Sequence, residues 1–141
     1  MADALLAANG LVVSYARPRG LLARGPQSTT ILHGVDISVG RGETVGIVGE
    51  SGSGKTTLGR ALLGLVAPTS GTVLFDGTYI NSLDERQRQP YRRRMQMIFQ
   101  DPMSSLNPRH TIGRILIEPI LLHGLAKTRR AALDLVYHVL D

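Results

Sequence analysis

Gly49-Glu50-Ser51-Gly52-Ser53-Gly54-Lys55-Thr56 is the stretch on which the reading of this chain turns. It fits the pattern G-x-x-x-x-G-K-[ST] at every position. Before it, Thr44-Val45-Gly46-Ile47-Val48 is a compact β-branched run bounded by Gly42 and Gly49, which predicts a fully buried strand in a parallel sheet. After it, Leu58, Ala61, Leu62 and Leu65 recur at helical spacing and predict a helix over Thr56 to Leu65, closed by Pro68 and Gly71. Strand, glycine loop and helix together give the pattern a mechanism. Glycines let backbone N–H groups wrap a phosphate, and the helix end directs its unpaired N–H groups and positive dipole at the anion. Lys55 would neutralise β and γ oxygens, and the Thr56 hydroxyl would ligate the Mg²⁺ that bridges them. The fold class expected from this order is α/β, of the P-loop NTPase kind.

Working outward, Leu11 to Tyr15 reads as a short strand and Ala16 to Ser28, rich in Arg, Gly and Pro, as a loop. From Ile31 to Val39, Val35, Ile37 and Val39 alternate with Asp36 and Ser38, the period of a half-buried strand, and Gly40-Arg41-Gly42 turns the chain. Thr72 to Phe75 and Thr78 to Ile80 predict a hairpin, because Asp76-Gly77 supplies the positive φ angles of a tight turn. Ser82-Leu83-Asp84-Glu85 has capping-box spacing and opens a polar helix towards Arg94. Met95 to Phe99 reads as the next buried strand, Met103 to His110 as a loop, and Ile112 to His123 as a helix bent at Pro119 and ended by Gly124. A last helix begins near Thr128, with Leu133, Val136, Tyr137 and Leu140 on one face.

Composition narrows the class. At 141 residues, with 43% hydrophobic and 19% charged residues, the chain suits one ordinary domain, burying roughly 70% of its unfolded surface. The absence of cysteine removes disulfide frameworks and thiolate metal sites. Asp3 stands where an export signal would carry a basic residue, and no apolar run approaches the ~20 residues of a spanning helix, so neither an export signal nor a membrane span is read. All but two of the 16 basic residues are arginines and the net charge is +5, which suits phosphate, nucleic acid or an anionic surface alike. Arg92-Arg93-Arg94 reads as a solvated helix end, and Met95, Met97 and Met103 as core filling. His33, His110, His123 and His138 share no metal-ligand spacing. No recognised nucleic-acid module accompanies the basic charge, so nucleic acid is not among the expected partners.

The chain resembles the ATP-binding subunits of ABC transporters, and among them the oligopeptide and dipeptide import type that nickel and glutathione importers share. The resemblance runs nearly end to end. It rests on Gly49 to Thr57, on Gly71-Thr72-Val73 leading to Phe75-Asp76-Gly77, and on Met97-Ile98-Phe99-Gln100-Asp101-Pro102 followed by Ser104-Ser105-Leu106-Asn107-Pro108-Arg109. It implies that Gly49, Glu50, Ser51, Gly52, Ser53, Gly54, Lys55, Thr56 and Thr57 hold the phosphates of ATP and that Tyr15 stacks on adenine. It implies further that Gln100, with Lys55, belongs to the catalytic set, and that Gln100 joins Thr56 at Mg²⁺. An amide suits that place because it accepts from water and coordinates a cation without carrying charge. Glu50 is given no proton-transfer role. The implied partners are integral-membrane permease subunits, a second nucleotide-binding subunit and, indirectly, a substrate-binding protein. The implied location is cytoplasmic, peripheral on the inner face of the cell membrane.

In the terms of that family, residues 1–99 would form an ATP-binding core with its β subdomain, and residues 100–141 the Q-loop and the start of the helical subdomain. An LSGGQ-like signature, a strand ending in Asp followed by a catalytic Glu, and a switch His do not occur in the 141 residues. Leu135 to Asp141 mimics such a strand, but its spacing continues the preceding helix. The expectation is therefore the N-terminal half of a nucleotide-binding domain, truncated within the helical subdomain. It would bind ATP as part of the subunit that energises import of peptides or similar solutes. The alternative is a truncated module that binds nucleotide without turnover.

Overall fold

The computed structural model of the chain describes residues 4–16, 28–101 and 106–140. The chain divides into two compact units, Met1–Gln89 and Pro90–Asp141.

The first unit is built on a four-stranded sheet of β1 (Ala4–Ala16), β2 (Ser28–Gly40), β3 (Ser70–Phe75) and β4 (Thr78–Tyr79), in the order β2-β1-β3-β4. Every pair in it is antiparallel. β1 is far longer than Leu11 to Tyr15, because it pairs on both sides: Leu6 stands opposite Val39 and Phe75, and Ala8 opposite Ile37 and Val73. Leu11, Val13, Val73 and Ile80 are its most deeply buried large side chains. The Asp76-Gly77 hairpin forms as expected, with φ of 47° and 78° at the two turn residues and Phe75 paired with Thr78. β4 then ends, and Asn81, in the 3₁₀ turn Ile80–Ser82, continues the pairing along β3. Its Oδ1 accepts from the Val73 N–H at 2.9 Å and its amide donates to the Gly71 carbonyl at 3.3 Å.

Where β1 bulges, Gly10 adopts φ 56° and donates its N–H to the Asp36 carboxylate at 2.6 Å. Gly71 lies against this bulge at φ 88°, and a Cβ there would come within 2.4 Å of the Gly10 carbonyl oxygen. Strand β3 can approach β1 so closely only because Gly71 carries no side chain at that crossing.

Helix α1 (Lys55–Leu62) packs on β1 and β2 through Leu58, Ala61 and Leu62. It stops sooner than the apolar spacing predicts. Gly64, at φ 66°, donates to Ala61 O at 3.0 Å while Leu65 donates to Arg60 O at 2.8 Å, the paired bonds of a Schellman ending. Two segments expected to be buried strands are not. Thr44 to Val48 and Met95 to Phe99 have no ladder partner among the described residues, and Val48 and Ile98 are 96% and 95% exposed. Apolar β-branched residues favour the extended backbone, but a parallel strand is made by neighbours on both sides, which local sequence does not supply.

Helix α2 (Glu85–Arg92) begins at a different cap from the one its sequence spacing suggests. Asp84 Oδ1 accepts from Gln87 N–H at 2.8 Å and Gln87 Oε1 accepts from Asp84 N–H at 3.0 Å, while the Ser82 hydroxyl donates back to Tyr79 O. The box is Asp84 with Gln87, two residues on from Ser82 with Glu85, because the 3₁₀ turn consumes Ser82. Replacing Asp84 by alanine should lower stability by about 1 kcal/mol in urea titration. An unchanged midpoint would count against this cap.

In the second unit, helices α3 (Ile112–Leu122) and α4 (Arg129–Leu140) pack around Ile117, Ala132 and Val136. Thr111 and Thr128 cap their N-termini, accepting from Arg114 and Ala131 N–H at 3.3 and 3.2 Å. Gly124, at φ 65°, ends α3 as predicted. The buried side of α4 is Ala132 and Val136 with Leu133 packed beside them; Tyr137 and Leu140, expected on that face, are exposed. Residues 135–140 are helical, so the strand they mimic does not form.

Candidate phosphate-binding site

Glycine sets the path of the loop before α1. Gly52 and Gly54 hold φ of 83° and 93°, in the left-handed region that L side chains rarely adopt. Gly54 is also seated on β2: a Cβ there would meet Leu32 Cδ2 at 3.0 Å and Ile31 Cγ2 at 3.2 Å. This seat was not legible in the motif, since it is a contact between distant parts of the chain. At the other end of the loop a Cβ on Gly49 would sit 2.8 Å from Ser53 Oγ, so the loop closes on itself there.

Lys55 turns back across that loop. Its Nζ donates to the Gly49 and Glu50 carbonyls at 2.7 and 2.6 Å and to Ser53 Oγ at 3.3 Å. The ammonium is thus held over the loop by three acceptors, the full count of its donors. Ser53 N–H donates to Glu50 O at 3.2 Å, and the first helical bond is Leu58 N–H to Gly54 O at 2.8 Å. Among the described residues no acceptor takes the N–H groups of Gly54, Lys55, Thr56 and Thr57. These are the orphan donors of a helix start, with no side-chain cap. Four unpaired N–H groups, the positive end of a helix dipole and one ammonium gather in an exposed loop. The chemistry such a set performs is to hold a multiply charged oxyanion.

Of the other expected site residues, Thr56 is exposed and Thr57 half-buried in the first turn of α1. Tyr15 lies near the end of β1 opposite Thr29, and is 42% exposed. Gln100 belongs to the second unit, exposed in a bend after Phe99. The structure therefore places residues 49–54 in a loop that runs directly into residues 55–57, the first turn of α1. Pro102, Ser104 and Ser105 of the following motif, Met103, and residues 17–27 of the expected N-terminal loop lie outside the described residues.

A family model described as ABC transporter covers residues 32–139, and the chain belongs to that family. A Brucella ovis protein named as a peptide import ATP-binding protein is 47% identical over 121 residues, 86% of this chain and 36% of its own length. The glutathione import ATP-binding protein GsiA of Salmonella paratyphi A is 42% identical over 130 residues, 92% of this chain and 21% of its own. The chain thus spans about a third or less of the curated relatives it matches. Among solved structures, the ATP-binding cassette MJ0796, dimeric and bound to ADP and Pi, overlays 92% of this chain and 54% of its own with a TM-score of 0.69 at 25% identity. The α/β fold expected from the phosphate loop is that of an ABC nucleotide-binding domain.

Proposed function

We propose that residues 49–57 bind the triphosphate of ATP with Mg²⁺, and that the chain acts within the ATP-binding subunit energising an importer of peptides or similar solutes. The observation that carries this is the set of unpaired N–H groups of residues 54–57 beside the tethered Lys55 ammonium. Support for the solute class comes from relatives named for peptide and glutathione import. When bound, Mg²⁺ would supply charge neutralisation between phosphate oxygens, with the Thr56 hydroxyl and the Gln100 amide as the chain's ligands. Tyr15 would stack on the adenine. Residues 1–99 would serve as the ATP-binding core and 100–141 as the start of a helical subdomain. Permease subunits, a second nucleotide-binding subunit and indirectly a substrate-binding protein would complete the machine at the inner face of the membrane. No helix among the described residues is long and apolar enough to cross a membrane.

Calorimetry on the full chain tests the reading. MgATP and MgADP should bind, AMP should bind on the order of a hundredfold more weakly than MgATP, and inorganic tripolyphosphate should compete, because each lost charge-assisted bond costs about 1.5–3 kcal/mol. Adenosine binding as tightly as MgATP would refute it.

A further inference from the structure

Helix α1 is only eight residues long, so whatever holds its C-terminus also sets the direction of its N-terminus. Beside the packing of Ala61 and Leu62 on the sheet, a side chain of α2 hydrogen-bonds the residue that ends the helix. Arg88, in α2, donates from Nη1 to the Gly64 carbonyl at 3.1 Å and from Nη2 to the Leu83 carbonyl at 2.7 Å. Gly64 is the residue that ends α1, and its lack of a side chain makes room for the arginine. A Cβ on Gly64 would lie 3.3 Å from Arg88 Cδ and 3.5 Å from Nε. Arg88 Nε is buried with no hydrogen-bond partner, so the guanidinium accepts a desolvation penalty to reach both carbonyls. Its own position is prepared by the Asp84–Gln87 box that starts α2 and by the bond from Arg88 N–H to Asp84 O at 3.0 Å.

We infer that Arg88 is a positioning residue for the phosphate loop. It clamps the end of α1 to the Leu83 turn and places a cation at the negative end of the helix dipole, so that the N–H groups of residues 54–57 stay directed at one point. The inference rests on the reading of residues 49–57 as a phosphate cradle. Arg88 bonds the end of α1 opposite to residues 54–57 and acts through the orientation of the helix. A planar fork with two separate donors is what two carbonyls require, and a lysine ammonium cannot reproduce that geometry.

The test compares wild type, Arg88→Ala and Arg88→Lys as full chains, titrated calorimetrically with MgATP and with AMP at a temperature where circular dichroism shows each folded. Arg88→Ala should weaken MgATP binding by about tenfold, the size of a lost cation contact at a helix end. AMP binding should change far less, so the preference for the phosphate tail narrows, which loss of stability alone does not produce. Arg88→Lys should fall between the two. Wild-type affinity and unchanged MgATP/AMP preference in folded Arg88→Ala would overturn the inference while leaving the cradle intact. If the alanine variant does not fold, the same equality in Arg88→Lys overturns it. Failure of the wild-type chain to bind MgATP would instead bring down the cradle reading itself.

Discussion

Gly71→Ala should lower the stability of the sheet unit by about 3–5 kcal/mol, seen as a urea midpoint some 2 M lower than that of the parent chain. Two effects add. A φ of 88° costs an L residue about 1–2 kcal/mol by itself. The new methyl must also displace the backbone of the β1 bulge, since the Gly10 carbonyl oxygen and carbon would lie 2.4 and 2.6 Å away and the Asn9 oxygen 2.7 Å. Backbone cannot rotate aside as a flexible side chain can, so the strand pair must part. Gly77→Ala is the matched control, having a φ of 78° but nothing within 4 Å of the added Cβ. It should cost only the conformational part. Equal losses for the two variants would show that the close approach of β3 to the bulge does not exist.

Lys55→Ala should weaken MgATP binding by about 2–5 kcal/mol, thirtyfold or more, the usual consequence of removing one partner of a desolvated charge pair. The lysine contacts are with exposed groups of the loop, so solvent replaces them and the urea midpoint should hardly move. This separation of binding from stability is what distinguishes the second variant from the first. A Lys55→Ala chain that binds MgATP as tightly as its parent would remove the ammonium from any role at the phosphates.

What could be read from sequence alone was what depends on a few adjacent residues. The loop from Gly49 to Thr57, the Asp76-Gly77 turn and the end of α3 at Gly124 each follow from steric rules at one or two positions. Longer-range features were not legible. Thr44 to Val48 and Met95 to Phe99 have the composition of buried strands, yet strand identity is conferred by ladder partners, and none faces them among the described residues. The length of β1 likewise came from pairing on both edges, which its own composition, with two alanines and Asn9-Gly10 in the middle, conceals. The Asp84–Gln87 cap displaced the Ser82–Glu85 pair because a 3₁₀ turn intervenes. Within the site, the motif gave the donors but not the supports: the Ile31 and Leu32 seat under Gly54 and the Arg88 clamp join segments far apart in the chain.

The Asn81 amide has a consequence for solubility. An open strand rim recruits other polypeptides by offering alternating donors and acceptors, the route by which sheet proteins stack into fibrils. On β3, the Val73 N–H and Gly71 carbonyl that would greet an incoming chain are already taken by that one side chain. A primary amide thereby mimics the peptide group of a neighbouring strand, and extends by two backbone groups the cover that the short β4 gives this side of β3.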